Sequence, residues 1–190
     1  MKKAKIIFGI VLGVSFIVSV FVGYGKDIAF MGEYCFISGL MVGVVLVLSA
    51  SFELNDKSSF TEWVFLACVT DIIVILIATL LMGLNLQGAF WFIHIINPGL
   101  LLVYWLLFYS CKSIAKTWQI IGVLVFPLAY MAFAFFLWKA IGNCPFPASL
   151  IFVDQTIGAV ILYILGMSIL LLGLGYGLCF LNKLARRMCK

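Results

Sequence analysis

Trp63-Val64-Phe65-Leu66-Ala67-Cys68-Val69-Thr70-Asp71-Ile72-Ile73-Val74-Ile75-Leu76-Ile77-Ala78-Thr79-Leu80-Leu81-Met82-Gly83-Leu84 carries a single Asp, Glu, Lys or Arg, Asp71. About 20 apolar residues in a row is the length a helix needs to cross a bilayer. The same reading applies at 6–24, 35–52, 89–110, 118–138 and 155–181, giving six such runs in the 190-residue chain. Hydrocarbon offers no partner for backbone N–H and C=O groups, so each run is expected to be a helix that pairs them internally. The expected fold is an all-α integral membrane bundle of six spans, a single domain over 1–190 with short loops.

Composition agrees with that reading. The chain is 66% hydrophobic and 10% charged, which leaves too little polar surface for a soluble globule. Its net charge of +5 points to topology, not to nucleic acid. With six crossings, Lys2, Lys3, Lys5, Lys57, Lys112, Lys116, Lys183, Arg186, Arg187 and Lys190 share one side, against Lys26 and Lys139 on the other. The excess marks the cytoplasmic side and puts both termini there. The basic tail is placed to meet anionic headgroups. Met1-Lys2-Lys3-Ala4-Lys5 resembles the start of a signal peptide, but no small-x-small cleavage site follows before Gly25, so the first run reads as a retained span.

Glycines four apart, at Gly9 and Gly13, Gly39 and Gly43, and Gly173 and Gly177, would let helix backbones approach closely. Trp63, Trp91, Trp105, Trp118 and Trp138 fall mostly near span ends, as an interfacial belt does. The six cysteines lack metal spacing and any CxxC; Cys35 and Cys144 share the outer side, where either free thiols or a disulfide is open. Short loops and this cysteine usage suit a bacterial plasma membrane.

Few polar side chains enter the spans. His94 is the only histidine in the chain. An ionisable residue in hydrocarbon is costly and so is a functional candidate. It shares a helical face with Asn97, Leu101 and Tyr104. Cys35, in the first turn of the second span, and Asp154, at the mouth of the sixth, fall with His94 within roughly 8 Å of the outer boundary. A thiol gains nucleophilicity from a neighbouring histidine, and a carboxylate orients an imidazole. Asp154 is equally placed to cap the sixth span. Asp71, deeper, is expected to pair with Tyr130, His94 or a backbone carbonyl, or to belong to a proton path.

Four segments resemble the androgen-induced-protein-like family of six-span membrane proteins. They are Tyr34-Cys35-Phe36-Ile37-Ser38-Gly39; His94-Ile95-Ile96-Asn97-Pro98 with Tyr104-Trp105; Pro127 with Tyr130; and Cys144-Pro145-Phe146-Pro147 followed by Asp154 and Gly158. Vertebrate members of that family hydrolyse fatty-acid esters of hydroxy fatty acids, with a threonine and a histidine as the proposed catalytic pair. The resemblance carries the histidine to His94 and the threonine to position 35, here Cys35. It implies a lipid-ester hydrolase with Cys35 as nucleophile and His94 as general base and acid. Ser38, Asn97, Asp71, Tyr130 and Asp154 are candidate supports, and no metal or organic cofactor is implied. Its partners would be membrane lipids, with a fatty-acyl ester as substrate. The other expectation is a non-enzymatic lipid- or solute-binding membrane protein in which Asp71 and His94 line a polar cavity.

Overall fold

The computed structural model describes residues 2–25, 28–57, 60–110 and 117–188, and among them the chain is helical, with no strand. The helices are α1 (Lys2–Tyr24), α2 (Tyr34–Leu54), α3 (Glu62–Met82), α4 (Asn97–Phe108), α5 (Thr117–Ile121), α6 (Val125–Ile141), α7 (Ala148–Phe152) and α8 (Ile157–Met188). A 3-10 turn, Ile28–Gly32, precedes α2; another, Gly122–Leu124, joins α5 to α6. Five helical segments, Lys2–Tyr24, Tyr34–Leu54, Glu62–Met82, Gln119–Ile141 and Ile157–Arg187, are long and apolar enough to cross a membrane. The remaining expected run forms the shorter apolar helix Phe92–Phe108. Its start is a π turn over Phe92–Ile96, in which the Asn97 N–H reaches back to the Phe92 carbonyl. Pro98 explains the irregularity: it has no N–H to give the His94 carbonyl, and its ring crowds the preceding turn.

α1 and α2 form an antiparallel hairpin and the most extensive interface in the bundle. The crossing depends on Gly13 and Gly43. A Cβ built on Gly13 would lie 2.8 Å from the Gly43 carbonyl oxygen, and one on Gly43 would lie 2.8 Å from that of Gly13. Close backbone approach of this kind replaces the hydrophobic drive that lipid removes. The Gly173 and Gly177 pair behaves otherwise: nothing lies within 4 Å of an added Cβ at either position, so among the described residues it packs against no helix. Trp105 also departs from the belt reading, since it is buried in the core.

α4 lies against α1 and α3, and α8 reaches the bundle mainly through its second half. Apolar side chains such as Leu81, Leu162 and Ile169 point outward, as lipid-facing positions require. At one end of the bundle the first and last helices meet around Tyr109. The Lys5 ammonium sits 4.2 Å above its ring, and Asn182 Nδ2 and Arg186 Nε donate to its carbonyl at 3.1 and 3.0 Å. Lys5 also pairs with Glu53 at 2.6 Å, and Lys2 pairs with Asp56. The basic positions Lys26, Lys112, Lys116 and Lys190 lie outside the described residues, as do Cys111 and Cys189.

Candidate functional site

The opposite end of the bundle holds an open cleft of about 430 Å³, lined by Gly23, Tyr24, Phe30, Glu33, Cys35, Leu84, Asn85, Phe90, His94 and Phe146. Three segments frame it. α1 ends at Tyr24, whose ring packs edge-on against Phe36 and Phe90, at 5.8 and 5.0 Å between centroids. The turn before α2 brings Glu33 and Cys35 to the rim. The loop after α3 reverses at Gly83, whose left-handed backbone (φ 65°) lets its N–H bond the Thr79 carbonyl and close the helix. Asn85 follows. Its side-chain oxygen accepts the Gln87 N–H at 2.9 Å, an Asx turn that fixes the local backbone.

That turn aims the Asn85 carbonyl at His94, and the distance to Nδ1 is 2.9 Å. A carbonyl only accepts, so Nδ1 carries the proton and the neutral ring keeps its lone pair on Nε2. The Nε2 atom is buried and has no hydrogen-bond partner among the described residues. Phe90 stacks on the imidazole at 5.6 Å and 23° and holds its plane. The result is an oriented base with an unspent lone pair on a residue that lines the cleft.

Cys35 lines the same cleft but does not bond His94. Tyr24 and Glu33 line the cleft beside it and act on the thiol electrostatically. Glu33 occupies the N-cap position of α2 and makes no side-chain cap bond there. Burial raises its proton affinity above the ordinary carboxylate range, and the Tyr24 hydroxyl partly offsets this.

The other expected site residues are placed elsewhere. Asn97 is fully buried in a clamp on α1: Ser15 Oγ donates to its Oδ1 at 2.8 Å, and its Nδ2 donates to Ser19 Oγ at 3.1 Å. Asp71 accepts a hydrogen bond from Tyr34, not from Tyr130 or His94. Its other oxygen is unpartnered; Ser38 lies close enough to act on it electrostatically but forms no well-shaped hydrogen bond. Asp71 and Ser38 are both buried, and neither is among the residues that line the cleft with His94. The Tyr130 hydroxyl is a strut, donating toward the Phe146 carbonyl at 2.9 Å with the Gly32 carbonyl at 3.3 Å. Asp154 is exposed, with φ 57°, in the turn before α8. It neither caps that helix nor reaches the cleft, because Thr156 Oγ1 takes the capping role by accepting the Ala159 N–H at 3.3 Å. Cys35 and Cys144 are both free thiols, the first buried at the cleft and the second packed against the cluster of Tyr130, Ala134 and Ala148.

Tyr24, Glu33 and Asn85 escaped the sequence reading because they lie at helix ends and in turns, at or beyond the edges of the apolar runs. The one available signal was Glu33, an acidic residue two positions before Cys35. Among the described residues no group of three or more His, Cys, Asp or Glu side chains is arranged to hold a metal ion. No family model, curated protein or solved structure matches this chain.

Proposed function

We propose that the chain is a membrane-embedded hydrolase of fatty-acyl esters, with Cys35 as nucleophile and His94 as the acid–base group, as the resemblance to the androgen-induced-protein-like family implies. The observation that supports it is that Cys35 and His94, whose Nε2 is unspent, line one cleft. About 430 Å³ is within the range of small-molecule sites, and a mostly apolar lining suits an acyl chain.

The chemistry runs in two halves. The Cys35 thiol gives its proton to His94 Nε2 and its sulfur attacks the ester carbonyl. The carbon–oxygen bond breaks, His94 passes that proton to the leaving alcohol, and the acyl group stays on sulfur. A water then gives its proton to His94 Nε2 and attacks the thioester. The carbon–sulfur bond breaks, and His94 returns the proton to the sulfur. In the accompanying topology Phe92–Phe108 is the fourth and shortest of six crossings, both termini are cytoplasmic, and the cleft opens toward the outer leaflet of a bacterial plasma membrane. The distribution of basic residues supports that orientation.

A second reading, a lipid- or solute-binding protein without catalysis, is favoured by the missing hydrogen bond between Cys35 and His94. The full chain in liposomes, given a long-chain p-nitrophenyl ester, separates the two. Release of nitrophenol that is lost in Cys35→Ala and His94→Ala supports hydrolysis. Saturable binding of the ester with no release in the wild type supports the binding protein.

A further inference from the structure

We propose that the mouth of the cleft binds a quaternary ammonium group, with Tyr24, Phe30, Phe90 and Phe146 as aromatic walls and Glu33 as counter-charge. The face of an aromatic ring carries negative charge density, and several rings around one pocket hold a cation that has no N–H to donate. All four rings and the one carboxylate line the same space of about 430 Å³. The site stands apart from the hydrolase reading, because it concerns what the mouth binds and not what the floor cleaves.

The walls are held by contacts of their own. Tyr24 is buried and meets Phe90 edge-on at 5.0 Å between centroids, and Phe90 is in turn stacked on His94. The Phe146 carbonyl accepts the Tyr34 N–H at 3.1 Å and the Tyr130 hydroxyl at 2.9 Å. Those two bonds tie the loop after α6 to the start of α2, one residue from Glu33. Phe30 is 50% exposed, whereas Cys35 and His94 are 7% and 3% exposed. Phe30 therefore marks the mouth, and the thiol and imidazole mark the floor. A largely preformed pocket of this kind spares a ligand the cost of ordering it.

The charge balance favours a cation. Among the described residues Glu33 makes no ion pair and no side-chain cap bond. Half-burial raises its affinity for a proton, and a bound cation would supply the same neutralisation. Lys139, in the last turn of α6, has its ammonium 4.0 Å above the Trp138 ring, and Lys2 and Lys5 pair with Asp56 and Glu53 at the far end of the bundle. A metal ion fits poorly: hard cations need several oxygen ligands, and no group of three His, Cys, Asp or Glu side chains is arranged for one among the described residues. A large, weakly hydrated organic cation needs only one counter-charge and apolar faces. Tyr24 ends α1, Glu33 precedes α2, and Phe146 lies between α6 and α7. Helices that cross a bilayer end at headgroup level, so the ammonium can come from a choline lipid or from a free choline-type solute.

The test measures labelled choline bound to the full chain in phosphatidylglycerol nanodiscs, which hold no ammonium headgroup. Saturable binding is expected, displaced by tetramethylammonium and about tenfold more weakly by 3,3-dimethylbutan-1-ol, the neutral isostere of choline. Glu33→Gln is expected to weaken binding about tenfold and Phe30→Ala a fewfold. Phe30 is exposed, so its loss spares the core. Asp154→Asn removes an exposed carboxylate outside the cleft and should change nothing. Adding phosphatidylcholine to the discs identifies the source: choline displaced means a lipid headgroup, and choline retained means a solute. If free choline does not bind, Glu33-dependent retention of phosphatidylcholine over phosphatidylglycerol in native mass spectrometry still supports the site, and the absence of both overturns it. Equal displacement by the neutral isostere, or binding unaltered in Glu33→Gln, overturns it too, since a plain apolar cavity gives that result. The site and the hydrolase fail separately. Ammonium binding without ester turnover leaves the site and removes the hydrolase; turnover of a neutral ester without ammonium binding does the reverse.

Discussion

His94 and Asn97 sit three residues apart on the face of the α4 segment that packs toward α1, and they meet opposite fates. Both side-chain polar atoms of Asn97 are used, on Ser15 and Ser19. His94 uses one nitrogen on the Asn85 carbonyl and leaves the other buried and unpaired beside a cleft. A polar group in a bilayer that its neighbours satisfy fully ties helices together. One that keeps an unspent atom carries a standing cost, and a substrate is a natural partner for it. Asp71 stands between them: one oxygen is held by Tyr34 and the other is unpaired, away from the cleft.

The largest expected effect separates the two residues outright. His94→Ala should lower ester turnover in liposomes about a thousandfold, the scale of losing a catalytic base, with little change in thermal unfolding. Asn97→Ala should leave turnover within a fewfold of wild type. Equal losses in both variants would erase the distinction. Next, Gly43→Val forces a side chain toward the Gly13 carbonyl and Ile17, and should destabilise the α1–α2 hairpin by about 2 kcal/mol in denaturant titrations. It tests whether the wall that carries the Asn97 clamp depends on close backbone contact. Asn97→Ala itself should cost about 1 kcal/mol, in line with interhelical hydrogen bonds in membranes, and Ser15→Ala less, since Ser19 still holds the amide.

The smallest effect lies at the far end of the bundle. Lys2 holds Asp56 below its ordinary value of 3.8, so the pair stabilises above that pH and its contribution fades as pH drops through the lowered value. Both side chains are exposed, and Lys2→Ala should leave unfolding at neutral pH almost unchanged, by the same titrations. A large shift there would mean that surface ion pairs, and not the Asn97 clamp, hold the first helix in place.

Much of this was legible in the residues. Uninterrupted apolar runs marked the long helices. Helical spacing correctly put His94, Asn97, Leu101 and Tyr104 on one buried face. Depth counting placed Cys35 and His94 at one level, and they do share a cleft. The same counting put Asp154 with them, which fails because depth fixes height along a helix and not position around the bundle. Asp154 stands in an exposed turn, where Thr156 outcompetes it for the cap. The partner of Asp71 was missed for a similar reason: Tyr34 and Tyr130 pack edge-on at 4.8 Å, and only their packing decides which hydroxyl faces the carboxylate.

The sequence alone determined that the chain is helical, that its long helices suit a bilayer, and that His94 is the exceptional polar residue within them. Those properties come from local rules: apolar length, backbone pairing and the spacing of side chains along one helix. Only the tertiary structure decided which polar atoms are spent and which are left over. That outcome depends on contacts that tie separate segments together, such as Asn85 with His94, Tyr34 with Asp71, and Ser15 with Asn97. In lipid such contacts are set by close helix approach and by the pairing of each polar atom, and neither is written in the pattern of any single span.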